Sequence, residues 1–106
     1  MTNEEFLSTL KEGDFITAYY HNHGYGKLIA CFDKHYPTND SHHMVGAKFF
    51  LGYVEILKID VAFGCRDEVT TLRKATMDEI FTLIDALRKE GYRYDRKNKR
   101  VYKKFI

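Results

Sequence analysis

The helix predicted over residues 75–91 is the part of the sequence that most restricts the fold. Thr76 and Glu79 form a capping box, in which each side chain accepts a hydrogen bond from the other residue's backbone amide. Gly91 supplies the left-handed residue that commonly ends a helix. The apolar face of this segment has the spacing of an amphipathic helix and carries Ile80, Phe81, Leu83, Ile84 and Leu87. This face must be buried against structure that lies upstream in the chain.

Upstream of this helix, the sequence predicts a short helix followed by five β-strands. Thr2 and Glu5 repeat the capping box, so a helix of about two turns is expected before Gly13. Alternating apolar and β-branched residues predict strands over residues 14–20, 27–32, 44–51, 53–62 and 68–73. The composition of residues 21–26 and 63–67 predicts turns, and the polar segment 33–43 predicts an exposed loop. Short connections make the strands antiparallel, which indicates a small five-stranded curled sheet or an SH3-like barrel.

A second, smaller β-structure is predicted after the longer helix. Residues 92–94 and 100–103 read as the two strands of a C-terminal β-hairpin around a polar turn. A two-stranded hairpin is marginally stable alone, so its aromatic side must pack on the helix or on the sheet. A chain of 106 residues is the size of one domain. We therefore predict a single α+β domain over residues 1–106, with a barrel-like sheet at 14–74 and the helix and hairpin at 75–106.

The composition indicates a globular protein of the cytoplasm, since 44% of the residues are hydrophobic and 30% are charged. The first residues lack the basic and apolar regions of a secretion signal, and no apolar run approaches the roughly 18 residues of a membrane span. We therefore expect a cytoplasmic location and no membrane partner. Cys31 and Cys65 lie in apolar settings, which favours reduced, buried thiols over a disulfide or a reactive site.

The basic residues are concentrated near the C-terminus. Residues 88–104 carry nine basic and two acidic side chains, a net charge of +7, whereas the remaining residues carry eight basic and thirteen acidic ones, a net charge of −5. Basic side chains interleaved with Tyr92, Tyr94 and Tyr102 suit a surface that neutralises phosphates while the rings stack on unpaired bases. The competing interpretation is that the tyrosines are core residues and the charges are solvated. The candidate nucleic-acid-binding residues are Arg93, Arg96, Lys97, Lys99, Arg100, Lys103 and Lys104.

All five histidines lie within a window of 23 residues, in two predicted loops. The simplest interpretation is that these side chains are solvated. The alternative is a metal-binding protein or metal-dependent enzyme, because clustered imidazoles bind zinc and related ions. Its ligands would be His21 and His23, a third imidazole from His42 or His43, and Asp40 or a water molecule as the fourth ligand. The spacing matches no specific metal motif, so we expect no cofactor.

No motif in the sequence indicates catalysis. The chain has no nucleophile elbow, no P-loop and no zinc-protease helix motif. The Gly-x-Gly sequence at 24–26 is explained by a hairpin turn, since no predicted helix follows to hold a phosphate. We therefore predict a non-enzymatic accessory binding module whose partner is a nucleic acid or another protein. Self-association is a further alternative, through an exposed strand edge beside Phe49, Phe50 and Tyr53.

Several strings in the C-terminal part of the chain carry a resemblance. They are RKAT at 73–76 with Glu79, LIDAL at 83–87 and EGYRY at 90–94. These strings resemble the signature of small uncharacterised proteins of Bacteroides-type genomes and their prophages, in which an "RKATEEE" start leads through an "LFDAL" helix and a "GYKW" strand to a hairpin. Residues 10–16 resemble the first strand of those proteins, whereas Tyr94 stands where tryptophan is common. The resemblance implies an architecture and a mobile-element setting, and it implies no activity.

Overall fold

A computed structural model describes residues 2–21, 26–39, 41–52 and 55–104 of the chain. Its elements, in chain order, are α1 (Asn3–Ser8), β1 (Phe15–Tyr20), β2 (Gly26–Asn39), β3 (His42–Leu51), β4 (Leu57–Arg66), β5 (Thr70–Lys74), α2 (Met77–Lys89), β6 (Tyr92–Asp95) and β7 (Arg100–Lys103). The predicted α+β class is confirmed, because the described residues form two helices and a five-stranded antiparallel sheet. Strands β6 and β7 form the predicted C-terminal hairpin.

The strands of the main sheet lie in the order β4-β3-β2-β1-β5, and every neighbouring pair is antiparallel. Because β4 and β5 lie at opposite edges in the part of the chain that is described, the sheet is not a closed barrel. The sheet is nevertheless curled, since the Tyr20 hydroxyl on β1 donates a 2.9 Å hydrogen bond to the Gly64 carbonyl on β4, across β2 and β3. The SH3-like character of this curled sheet stays a prediction.

The prediction of an exposed loop over residues 33–43 is wrong, because β2 and β3 run through most of this segment. His35 on β2 pairs with Val45 on β3 in antiparallel register. The polar composition of the segment is typical of a loop, but the backbone hydrogen bonds of a long hairpin do not require apolar side chains. Register shifts near Phe32 mark β-bulges, which bend the paired strands.

Strand β4 also lies further along the chain than predicted, at Leu57–Arg66 instead of 53–62. The predicted turn over residues 63–67 is therefore wrong for most of its length. Phe63 and Cys65 are buried strand residues, and Gly64 lies between them. A methyl group at Gly64 would lie 3.3 Å from His42 Nε2 on the neighbouring strand. This glycine therefore marks a close approach of a neighbouring side chain, which is a common reason for glycine within a strand.

Each face of the sheet is covered by its own apolar cluster. The inner core lies inside the curl and consists of Leu7, Ile16, Ala18, Leu28, Ala30, Phe32, Val45, Ala47, Phe63, Cys65 and Leu72. The outer core lies between the opposite face, α2 and the hairpin, and its buried residues are Ile29, Cys31, Phe49, Leu51, Leu83 and Leu87. Alternate residues of β1 contribute to both sides, as the sequence predicted, because successive side chains of a strand point to opposite faces.

Helix α1 closes one end of the inner core and protects the outer edge of β5. The predicted capping box of Thr2 and Glu5 is confirmed. Asn3 Nδ2 donates a 2.8 Å hydrogen bond to the Thr70 carbonyl, and the Leu72 amide donates a 3.2 Å hydrogen bond to Asn3 Oδ1. The Asn3 side chain thus occupies backbone groups of an edge strand that would otherwise attract another strand.

Helix α2 is attached to the sheet through Glu79, whose side chain is only 5% exposed. The predicted capping box with Thr76 is confirmed. Arg73 donates two hydrogen bonds of 2.8 Å to the Glu79 carboxylate, Lys27 Nζ donates one of 2.8 Å, and the Thr17 hydroxyl donates one of 2.9 Å. These bonds, above all those from Arg73, hold the pKa of Glu79 well below its ordinary range. The string at 73–76 that carries the resemblance therefore lies at the junction of helix and sheet.

Candidate functional site

The turn of the β6–β7 hairpin is organised by Asp95, which pairs with Arg100 across the hairpin. Asp95 Oδ1 accepts hydrogen bonds from the amides of Lys97 at 3.0 Å and Asn98 at 3.2 Å, and Oδ2 accepts one of 2.6 Å from Asn98 Nδ2. These bonds, led by the one from the Asn98 side chain, lower the pKa of Asp95. The carboxylate is thus engaged in shaping the turn, and it forms no ion pair with the basic residues that the turn displays.

Lys99 occupies an unusual backbone conformation at the end of this turn. Its φ is +55°, in the left-handed region that glycine adopts at lower cost than a residue with a side chain. The aliphatic part of its side chain covers Gly13, because a methyl group at Gly13 would lie 3.4 Å from Lys99 Cδ. The hairpin therefore holds a lysine where glycine would be more stable, and this lysine lies against the segment that leads into β1.

Two of the three tyrosines that were predicted to stack on bases are partly buried in the outer core, which supports the competing core interpretation for them. Tyr94 packs on Phe49 at 5.2 Å and edge-on against Phe15 at 6.0 Å between ring centroids. Burial raises the pKa of the Tyr94 phenol above its usual range. Tyr92 packs in the same core, and its ring lies 5.8 Å from Lys103 Nζ. Only Tyr102, at 47% exposure, presents a ring to solvent.

The seven predicted basic residues have in common that they form no ion pair with a described carboxylate. Elsewhere in the described chain, ion pairs with carboxylates hold five of the ten other basic residues, namely Lys27, Lys48, Arg66, Arg73 and Lys89. None of the seven hairpin residues forms such a pair with any described residue. Arg93 donates to the Tyr92 carbonyl, and the Arg96 guanidinium lies over the Phe15 ring at 5.3 Å from its centroid, but neither contact is with a carboxylate. The hairpin is therefore a surface of cations without direct ion pairs to the described carboxylates.

A cleft of about 400 Å³ separates the hairpin turn from the start of β1 and the end of β5. We call it the hairpin cleft. Its apolar lining is Phe15, Ala75, Ile80 and Tyr94, its basic lining is Lys11, Lys74, Arg96 and Lys99, and Glu12, Gly13 and Asp14 complete it. Both acidic residues are engaged, because Glu12 accepts a 2.6 Å hydrogen bond from Lys48 Nζ and Asp14 accepts a 2.8 Å bond from the Lys11 amide. The cleft is therefore electropositive with an apolar floor.

Sequence reasoning found Arg96 and Lys99 but missed Lys11 and Lys74 as members of this cleft. Lys11 lies between α1 and β1, and Lys74 is the last residue of β5, so both are distant in sequence from the hairpin. The register of β1 with β2 and β5 brings these segments together, and no local pattern in the sequence signals that convergence. The other five predicted residues lie along the hairpin outside the lining of the cleft.

The candidate metal ligands do not form a cluster among the residues that the structure describes. His21 lies at the end of β1 and is 2.7 Å from the Thr71 hydroxyl. His42 and His43 are adjacent in β3, where successive side chains point to opposite faces of the sheet. His23 and Asp40 lie outside the described residues. The prediction that the histidines occupy two loops is also wrong, because His35, His42 and His43 lie in strands.

The proposed self-association edge is not where the sequence indicated. Phe49 and Phe50 lie in β3, which is an inner strand of the sheet. Phe49 is fully buried, and the Phe50 ring packs edge-on against the Phe63 ring with 5.8 Å between centroids. Tyr53 lies outside the described residues. Among the described strands, the unprotected edge of the sheet is β4. Asp60 in the middle of β4 has a φ of +55°, an irregularity of the kind that makes an edge a poor template for another strand.

Neither helix in the described part of the chain is long and apolar enough to cross a membrane. Both cysteines are buried and unpaired, as predicted. A scan against models of protein families, a search of curated proteins and a search of solved structures returned no match. Function is therefore argued from the site alone.

Proposed function

We propose that the protein is a non-enzymatic accessory module that binds nucleic acid through its C-terminal hairpin. The observation that supports this most directly is the set of seven basic side chains without carboxylate partners among the described residues. Phosphate groups are the anions that such a surface suits, since Lys and Arg release condensed counterions when they contact the nucleic-acid backbone. Asp95 holds the turn backbone through hydrogen bonds from the Lys97 and Asn98 amides, so the backbone positions that carry these charges are defined.

The mode of binding follows from which aromatic rings are free. Because Tyr92 and Tyr94 pack in the outer core, stacking on bases is left to Tyr102 and to the Arg96 guanidinium. Contacts to phosphates, which carry no sequence information, therefore dominate the proposed interface. The net charge of −5 on the residues outside 88–104 repels a polyanion from the rest of the molecule and directs it to the hairpin.

The test is binding of fluorescently labelled single-stranded and duplex oligonucleotides, measured by anisotropy at about 50 and 200 mM salt. The wild-type protein should bind in a strongly salt-dependent manner, because each phosphate contact adds to the slope of affinity against salt. The triple variant Lys97→Glu, Lys99→Glu, Arg100→Glu should lose this binding. A matched control carries the same charge change at Lys34, Lys58 and Arg66, which are exposed on β2 and β4. Equal oligonucleotide affinity of the hairpin variant and the wild type would contradict the proposal.

The same proposal includes the finer predictions from the sequence. The module is cytoplasmic and accessory to a mobile element, which is the setting that the resemblance at residues 73–94 implies. Its curled sheet is of the SH3-like kind, with β5 returning beside β1.

A further inference from the structure

We propose that the hairpin cleft binds the phosphorylated terminal nucleotide of a nucleic-acid strand. The ligand is therefore a nucleoside monophosphate at a strand end. This inference rests on the proposed function and adds a defined pocket to it. The exposed hairpin would contact internal phosphodiesters, whereas the cleft would take the one phosphate that is a monoester. The argument has three parts, which concern the charge of the cleft, its apolar floor and its size.

The charge of the cleft suits a dianion. Its four basic side chains come from three separate segments, with Lys11 before β1, Lys74 at the end of β5, and Arg96 and Lys99 in the hairpin turn. None of the four forms an ion pair with a described carboxylate, although Glu12 and Asp14 line the same cleft. A phosphate monoester carries a charge of about −1.5 to −2 at neutral pH. With Glu12 and Asp14 counted, the four basic and two acidic lining residues carry a net formal charge of +2, which matches a monoester end group better than an internal diester with one charge.

The floor of the cleft suits the nucleoside part of the ligand. Phe15, Ala75 and Ile80 give it an apolar surface, and the Arg96 guanidinium lies over the Phe15 ring at 5.3 Å. The guanidinium is thus close to an apolar surface without a carboxylate partner, and Arg can contact a base with its planar face as well as an aromatic side chain. An inorganic anion would make no favourable contact with this apolar surface.

The size of the cleft fits a single nucleotide. Its volume of about 400 Å³ is within the roughly 300–1,000 Å³ range of small-molecule sites. Gly13 forms part of the wall, where a methyl group would lie 3.1 Å from the Tyr94 hydroxyl and 3.4 Å from Lys99 Cδ. The absence of a side chain at Gly13 therefore lets Tyr94 and Lys99 approach the β1 segment and close that side of the cleft.

The experiment compares one single-stranded oligonucleotide with a 5′-phosphate, with a 3′-phosphate and with hydroxyls at both ends. At least one phosphorylated form should bind about tenfold more tightly than the unphosphorylated form, because the monoester adds charge-assisted hydrogen bonds to the basic side chains of the cleft. The double variant Lys11→Gln, Lys74→Gln should remove this preference. It should weaken binding of the unphosphorylated strand much less than the triple hairpin variant does, since neither residue lies on the hairpin. The control variant Lys34→Gln, Lys58→Gln should keep the preference. Equal affinity for all three oligonucleotides would overturn the inference while leaving the proposed function intact.

A second measurement separates failure of the inference from failure of the proposed function. Thymidine 5′-monophosphate, thymidine 3′-monophosphate and thymidine are titrated separately into the labelled protein, and the amide resonances of Gly13, Phe15 and Ala75 are followed by NMR. Shifts that saturate with the monophosphate, and that are lost in the Lys11→Gln, Lys74→Gln variant, support the cleft even if no oligonucleotide binds. Unchanged resonances up to about 10 mM ligand, which corresponds to less than about 3 kcal/mol of binding free energy, would overturn the inference.

Discussion

At the scale of single residues, Glu79 combines two roles, because its carboxylate caps α2 and also accepts hydrogen bonds from Arg73 and Lys27 on the sheet. Glu79→Gln should lower the free energy of unfolding by about 2 kcal/mol, since removing one partner leaves the cations of a buried pair uncompensated. The loss should be smaller than for a fully buried pair, because the side chains of Arg73 and Lys27 are 44% and 48% exposed. Urea unfolding at pH 7 measures the change.

The matched control for that prediction is Glu68→Gln, which removes the same charge from a surface pair with Arg66. Both members of this pair are exposed, so its loss should change stability by less than about 0.5 kcal/mol. The two variants should therefore differ clearly in urea midpoint. Equal effects would mean that the network around Glu79 adds nothing to the attachment of α2.

Lys99 differs from Glu79 because its backbone conformation costs stability. Its φ of +55° is unfavourable for a residue with a side chain. Lys99→Gly should raise the free energy of unfolding by about 1 kcal/mol, because glycine adopts a φ of +55° without the strain of a side chain. The control is Lys97→Gly, at a neighbouring turn residue without positive φ, which should be neutral or destabilising. If the proposed function holds, Lys99→Gly should also weaken oligonucleotide binding, so stability and affinity should change in opposite directions. A stability no higher than that of the wild type would contradict the strain argument.

At the scale of elements, local signals predicted the helices and tertiary pairing decided the strands. The capping boxes at Thr2 and Thr76 were found from the sequence because both partners lie within three residues. The extent of β2, β3 and β4 was not found, because polar residues 33–43 and Gly64 are typical of loops when taken alone. Pairing with a neighbouring strand satisfied their backbone groups and overrode that preference.

His35 in the β2–β3 hairpin packs against His43 and should make the stability of the protein depend on pH. The rings of His35 and His43 lie 5.4 Å apart, and His43 is only 3% exposed. Burial, with a further contribution from His43, lowers the pKa of His35 below 6.5, and Glu4 opposes this shift. The folded state therefore binds fewer protons than the unfolded state just below pH 6.5, so stability should be complete above that pH and should fall as the pH drops through it.

Urea unfolding at pH 7.5 and pH 5.5 tests this expectation. The wild type should be less stable at pH 5.5, and His35→Gln should reduce that difference, because the variant removes one group whose protonation opposes folding. The control is Lys34→Gln on the same strand, which should keep the wild-type difference, since lysine titrates far above this range. An identical pH dependence in wild type and His35→Gln would show that His35 does not couple to folding.

At the scale of the whole molecule, the separation of charge could be predicted from the sequence, whereas the cleft could not. Counting charges along the chain located the basic hairpin, because its members are neighbours in sequence. The hairpin cleft required Lys11 and Lys74 to approach the turn, and that approach depends on the curl of the sheet and on Tyr94 packing against Phe15 and Phe49. Composition predicts which charges exist, and packing decides which of them share a site.

The two cysteines report separately on the two layers of the fold, because Cys65 lies in the inner core and Cys31 in the outer core. Burial raises the pKa of Cys31 to about 11 and that of Cys65 to about 12, so neither thiol should react with an aromatic disulfide reagent at pH 8 in the native state. Since one sheet forms a wall of both cores, we expect the layers to unfold together. The variant Cys31→Ala leaves Cys65 as the single reporter, and Cys65→Ala leaves Cys31. In each variant, the labelling rate of the remaining thiol should be proportional to that variant's equilibrium constant for unfolding. If Cys31 in the Cys65→Ala variant is labelled much faster than global unfolding of that variant allows, α2 and the hairpin open while the inner core stays folded.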